Sequence, residues 1–188
     1  MIYIIFIISI TFHEFGHIIM SKLLKVKIDK PKFNFFGYSS KINNNKFLYK
    51  ILIFLAGPFC NFIFAIIVYI SKIKYDTKLM FFYMNLILGF VNLFPILPLD
   101  GGNILNLILE QKLGFEKSTK ICLILSKIIL IIISLIYCFA IFILKNIWIF
   151  FSIIYLWIVY IKEERKFALY IKIKLHCEKM LAMRRKVW

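Results

Sequence analysis

The chain has 188 residues, 62% of them hydrophobic, and a mean hydropathy of +0.87, with apolar runs longer than a soluble core of this size needs. An ordinary soluble domain is excluded. The formal net charge of +16 would suggest nucleic acid as partner of a soluble protein, but the lysines fall in short stretches between apolar runs, where they read as membrane topology, so no nucleic-acid partner is expected.

A bilayer crossing takes about 20 mostly apolar residues, and about five segments qualify: 1–21, 51–71, 79–99, 121–144 and 146–161. The predicted fold class is therefore all-α, a polytopic transmembrane helix bundle embedded in lipid. Residues 1–161 form the membrane domain and 162–188 a basic cytoplasmic tail. The first run has no basic stretch ahead of it and no small-residue cleavage pattern after it, so it reads as a retained helix. If alternate loops face the same side, one side collects the lysines from Lys22 to Lys50, then Lys112, Lys117 and Lys120, then those of the tail. The other side holds only Lys72, Lys74, Lys78 and Lys145. Lys and Arg accumulate on the cytoplasmic side, which predicts an outside N-terminus and a cytoplasmic C-terminus.

Residues 25–47 are the one substantial polar interruption. Val26, Ile28, Phe33, Phe35 and Tyr38 are spaced two or three apart, with Gly37 and Asn43–Asn45 as turn formers. A short cytoplasmic β-hairpin or re-entrant ribbon fits, and a plain loop fits equally. The span from Leu79 ends unusually: Asn92, Pro95, Pro98, Asp100, Gly101 and Gly102 break a stretch that otherwise stays apolar through Leu109. Proline removes a backbone donor and restricts the residue before it. Irregular backbone at membrane depth is tolerated only where protein or a water-filled cavity covers it, which makes this break a candidate site. Cys60, Cys122, Cys138 and Cys177 show no C-x-x-C spacing and read as small apolar residues in helices.

His13-Glu14-Phe15-Gly16-His17 is an H-E-x-x-H motif within the first apolar run, so its histidines lie one turn apart on one helical face. Two imidazoles leave positions open on a tetrahedral zinc ion, and Glu14, beside the metal without binding it, can take a proton from the bound water. Each ionisable residue mid-span costs about 2.5–3.5 kcal/mol on insertion scales. With no lysine or arginine nearby to pair with Glu14, a metal is the simplest compensation, and ionic pairing inside the bundle is the plainer alternative. Catalytic zinc usually has three protein ligands, and Asp100 is the only acid in the apolar interior of the later spans. Depth agrees: His17 lies about 7.5 Å before Lys22, and Asp100 about 33 Å beyond Lys78, so both reach the cytoplasmic leaflet. One zinc ion per chain, held by His13, His17 and Asp100, is expected. Asn92 can donate a hydrogen bond to the reacting carbonyl, or serve as helix–helix glue. Ala56-Gly57-Pro58 followed by Asn61 reads first as close packing of the second span on the first. His176 reads as a solvated residue of the tail.

Three stretches together resemble the site-2 protease signatures: His13–His17, Ala56-Gly57-Pro58-Phe59-Cys60-Asn61, and Asn92-Leu93-Phe94-Pro95-Ile96-Leu97-Pro98-Leu99-Asp100-Gly101-Gly102. The third is the most specific. Within that family, peptidase family M50, the chain looks most like the stage IV sporulation protein FB group, in which the aspartate of the third stretch completes the zinc site. The resemblance covers most of the chain from residue 5 onward. It implies cleavage of a membrane-associated substrate, namely the precursor of a sporulation sigma factor, in the membrane around a forespore. It also implies membrane-embedded inhibitory or regulatory partners. Two features depart from the pattern. The family commonly carries a further span before the H-E-x-x-H helix, where twelve residues precede His13 here. Many relatives carry a nucleotide-sensing CBS domain, for which the residues after Ile161 are too few, so neither a CBS nor a PDZ domain is expected. The tail, with Arg165, Lys166, Lys172, Lys174, Arg184 and Arg185 among apolar residues, is expected to lie on the membrane surface or meet an acidic partner.

Two rival readings follow from the same residues. One is a membrane zinc peptidase of another class, with Glu163 or Glu164 as third ligand. The other is a metal-binding transporter or inactive scaffold in which Glu14 is dispensable.

Overall fold

The computed structural model describes residues 2–26, 47–144 and 147–185, with side chains at all of these except 2, 139–152 and 181–185. Six helices follow in order: α1 (Ile2–Leu23), α2 (Phe47–Ile70), α3 (Tyr75–Asn92), α4 (Asp100–Leu113), α5 (Phe115–Leu144) and α6 (Ile147–Arg185). The hairpin expected within 25–47 lies almost wholly outside the described residues. Among the described residues, Tyr3–Leu23, Phe47–Ile70 and Phe115–Cys138 are long and apolar enough to cross a membrane. Three of the five expected spans therefore meet that measure, and the chain is a membrane protein.

The helices divide into two groups. α1, α2 and α3 pack on one another, α2 also reaches α4, and α4, α5 and α6 form a second series. The face that α1 turns inward is polar in a regular pattern: Ser9, His13, His17 and Ser21, four residues apart, are all buried. Ser9 and Ser21 settle their hydroxyls on their own helix, donating to the Ile5 carbonyl at 2.9 Å and the Ile18 carbonyl at 2.8 Å. The imidazoles cannot do this, and they reach across to α2. Outward, Ile4, Ile7 and Phe15 of α1 and Ile63, Ile66 and Ile67 of α2 are exposed, as lipid-facing side chains are.

Small residues let α1 and α2 approach closely. A methyl group added at Gly16 would stand 2.5 Å from the Ala56 carbonyl oxygen and 2.8 Å from Cys60 Cβ, so only hydrogen fits there. Pro58 sits inside α2 two residues before Cys60 without ending the helix, which runs on to Ile70.

Between α3 and α4 the chain leaves helical geometry for Leu93–Leu99, with a cis Leu97–Pro98 peptide. Its backbone groups find partners locally and on a neighbour. Leu93 and Phe94 donate to Phe90 and Val91 carbonyls, Leu99 donates to Ile96, and the Pro98 carbonyl accepts from the Asn103 side chain at 2.8 Å. The Leu97 N–H reaches across to Ser126 Oγ on α5 at 2.9 Å, while that hydroxyl donates to the Cys122 carbonyl at 2.7 Å. Irregular backbone inside a membrane protein requires such satisfaction. The apolar residues of the break are the core of the second helix group: Ile96, Leu97 and Leu99 pack with Cys122, Leu123, Leu130 and Tyr160.

α6 continues without interruption past residue 161, so the apolar run and the basic tail share one helix of 39 residues, about 58 Å long. Its tail half is pinned along the start of α5. Tyr170 meets Phe115 edge to face with ring centroids 5.2 Å apart, and Lys174 pairs with Glu116. Higher up, the Trp157 indole donates to Ser134 Oγ at 3.0 Å.

Candidate metal centre

His13 and His17 project from the middle of α1, and Asp100 is the first residue of α4, directly after the break. The separation of 83 positions between His17 and Asp100 is closed by the packing of α2 on both α1 and α4. A carboxylate in the first turn of a helix also suits the positive end of its dipole. All three side chains are buried, at 6%, 2% and 8% exposure, deep enough that water cannot share their charge.

The three atoms that face one another are His13 Nε2, His17 Nε2 and Asp100 Oδ2. They stand 3.0 Å (His13 to Asp100), 3.1 Å (His13 to His17) and 3.5 Å (His17 to Asp100) apart. Three ligands bound tetrahedrally at about 2.0–2.1 Å stand about 3.3 Å from one another, and the observed triangle brackets that value. Asp100 Oδ2 is a buried oxygen that makes no hydrogen bond of acceptable geometry, as an atom reserved for a cation would be. Two imidazoles and a carboxylate are also a donor set that zinc accepts. The residues therefore fit a zinc ion. Among the described residues, this is the one cluster of His, Cys, Asp and Glu that could hold a metal.

The outer nitrogens of both rings have partners on α2. His17 Nδ1 donates to the Ile53 carbonyl at 2.7 Å, which leaves Nε2 with its lone pair toward the centre. His13 Nδ1 lies 3.1 Å from the side-chain amide of Asn61, which is completely buried. Gly57 completes this wall: an added Cβ would stand 2.4 Å from His17 Nε2 and 2.8 Å from His13 Cε1. The α2 backbone thus closes one side of the centre. The sequence pointed to close packing at Ala56–Asn61. It did not reveal that Gly57 bounds the imidazoles or that Asn61 touches His13, because neither contact leaves a periodic trace.

Glu14 is half-buried on the same turn, and its Oε2 is buried without a hydrogen-bond partner. Asn92, the last residue of α3, donates its amide to the Leu88 carbonyl one turn back at 2.9 Å, which leaves the second hydrogen of that nitrogen to another acceptor. Glu163 and Glu164, the rival third ligands, are engaged on α6: Glu163 with Lys166 at 2.8 Å, Glu164 with the Tyr160 hydroxyl at 3.3 Å.

The model of peptidase family M50 matches residues 1–77 and 75–135. The chain belongs to that family. Over 127 residues it is 34% identical to a zinc metalloprotease of Methanocaldococcus jannaschii, a match covering 64% of this chain and 38% of the relative. Over 122 residues it is 28% identical to the stage IV sporulation protein FB of Bacillus subtilis, covering 61% of this chain and 42% of that protein. The matches thus span about two fifths of the length of these curated relatives. The solved structure of a site-2 protease from Methanocaldococcus jannaschii superposes with a TM-score of 0.70 at 29% identity, over 86% of this chain and 76% of that one. The helix bundle is therefore the site-2 protease fold of the family.

Proposed function

We propose that the chain is an intramembrane zinc metalloprotease, in which His13, His17 and Asp100 hold the metal and Glu14 acts as general base. The observation that carries this reading is the triangle of Nε2, Nε2 and Oδ2 atoms, 3.0–3.5 Å on a side and buried inside a membrane protein of family M50. When bound, zinc supplies Lewis-acid polarisation and brings the pKa of a coordinated water to about 7.

The chain's own residues do the rest. Glu14 Oε2, unpartnered and next to the histidine pair in sequence, receives the proton of the attacking water and returns it to the departing amide nitrogen. One C–O bond forms and one C–N bond breaks. Asn92 turns its free amide hydrogen toward the substrate carbonyl oxygen as negative charge develops there. The substrate lies extended beside the break, because a helical carbonyl is already occupied by its own i+4 donor. The wall formed by Ile53, Gly57 and Asn61 excludes it from the opposite side.

The substrate class is a membrane-associated polypeptide entering from the bilayer. Resemblance to the sporulation group favours the precursor of a sporulation sigma factor, in the membrane around a forespore, with membrane-embedded inhibitors as partners. The active site faces the cytoplasm. That orientation draws support from the lysine asymmetry and from the tail's pairing with the start of α5, which sets two basic segments on one side.

The test is cleavage of a co-expressed pro-sigma factor by the wild type and by Glu14→Gln, with zinc measured in both purified proteins. Loss of cleavage by about 10²-fold or more with zinc retained is the expected result. Cleavage at the wild-type rate in Glu14→Gln contradicts the assignment.

A further inference from the structure

The two histidines are held from behind in different ways. The Ile53 carbonyl can only accept, so it fixes a proton on His17 Nδ1 whatever else changes. The partner of His13 Nδ1 is the Asn61 carboxamide, which can present either an acceptor or a donor. Carboxamide oxygen and nitrogen occupy nearly the same positions, so which of them faces the ring is decided by chemistry and not by shape. Asn61 lies on α2, 48 residues from His13 in sequence, with 0% exposure, so no solvent water can take its place.

His13 offers Nε2 to the centre, 3.0 Å from Asp100 Oδ2 and 3.1 Å from His17 Nε2. A lone pair on Nε2 requires the ring proton on Nδ1, and a buried N–H requires an acceptor. In the structure Asn61 Nδ2 is the carboxamide atom 3.1 Å from His13 Nδ1, and Asn61 Oδ1 is a buried oxygen with no hydrogen-bond partner, so exchanging the two by one carboxamide rotation gives Oδ1 the ring N–H. With Nδ2 inward, the amide donates to Nδ1 and drives the proton onto Nε2, where it blocks coordination.

We infer that Asn61 is a positioning residue of the metal centre: its Oδ1 accepts the Nδ1 proton of His13 and so holds the Nε2 lone pair toward the cation. The inference rests on the metalloprotease reading and adds to it a residue that touches neither metal nor substrate. It makes His13 the adjustable ligand of the pair and His17 the fixed one. Second-layer acceptors of metal-bound histidines change metal affinity by about 10–100-fold when lost.

The test is zinc affinity of the full-length protein in detergent, by competition with a fluorescent chelator, for wild type, Asn61→Leu and Asn61→Asp. The leucine variant keeps the volume and loses the acceptor. The aspartate variant can accept but cannot donate. Asn61→Leu is expected to bind zinc about 10–100-fold more weakly, and Asn61→Asp to stay within a few-fold of wild type or bind more tightly. Equal loss in both variants overturns the proposal, since it makes the amide a donor or a packing element. Wild-type affinity in Asn61→Leu overturns it as well. Should Asn61→Leu fail to fold, Asn61→Asp decides alone, by retained affinity or by loss. A wild type that binds no zinc refutes the metalloprotease reading itself, a result separate from any difference among the variants.

Discussion

The junction of α1, α2 and α4 and the pairing of α5 with α6 are built on opposite principles. At the junction the buried groups are polar: His13, His17, Asn61 and Asp100, held by contacts between 2.7 and 3.5 Å across three helices. Around α5 and α6 the packed cluster is mainly apolar, Cys122, Leu123, Leu130 and Tyr160 with Trp157 and Phe167 against them, and buried hydroxyls such as Ser126 bond to backbone nearby. Polar groups in a dry interior tolerate few arrangements, because each lost partner leaves a desolvated atom behind. Apolar surfaces tolerate many, so the second region can serve as a frame while the first carries the chemistry. The Leu93–Leu99 break joins the two. Its apolar side chains belong to the frame, and its end delivers Asp100 to the junction.

Three substitutions can break or sharpen this contrast. The largest effect is expected from Gly57→Ala, whose methyl group would overlap His17 Nε2 at 2.4 Å. Zinc content by mass spectrometry should fall by more than about 10-fold, the order seen when the shell around metal-bound histidines is disturbed, while the helix content by circular dichroism stays intact. Full zinc occupancy in this variant would mean that the wall is not fixed. A smaller effect is expected from Ser126→Ala, which removes the acceptor of the buried Leu97 N–H. The cost should be about 1–3 kcal/mol, read as a lower melting temperature, with reduced cleavage because the break positions Asp100. The least is expected from Gly114→Ala. Gly114 adopts φ +75°, yet nothing lies within 4 Å of an added Cβ. With ψ 162° this is a backbone region that glycine alone adopts freely, so the methyl group incurs strain of about 1–3 kcal/mol, and stability should fall with zinc binding and cleavage unchanged.

Much of the junction was legible in the sequence because its residues are chemically conspicuous. Ionisable side chains inside an apolar run demand a reason, and the spacing of His13, Glu14 and His17 pointed to a metal as that reason. Asp100 was singled out as the only acid in the apolar interior of the later spans, with its helical depth in agreement, and the structure brings it to within 3.0 Å of His13. The partners on α2 were not legible. Asn61 and Gly57 lie 44 or more positions from His13, and only the packing of α2 on α1 brings them there. The Ser126 bond to Leu97 is of the same kind, a serine in an apolar helix whose acceptor role depends on a loop 29 residues away.

The continuity of α6 also escaped a hydropathy reading. Lys162–Lys166 mark where apolar character stops, which is a statement about the membrane and not about the backbone. These residues are good helix formers, Glu163 and Lys166 pair three positions apart, and no Gly or Pro intervenes before Arg185, so nothing ends the helix. The tail is consequently held against the start of α5 through Phe115–Tyr170 and Glu116–Lys174 instead of turning away at residue 162.

The measurement that tests the account most directly is the zinc content of purified wild type, Asp100→Ala and Glu164→Gln, each taken with its stoichiometry per chain. The account predicts one zinc per chain in wild type and Glu164→Gln and a loss of most of it in Asp100→Ala. Zinc retained in Asp100→Ala and lost in Glu164→Gln would contradict it, and would move the third ligand from the break to α6.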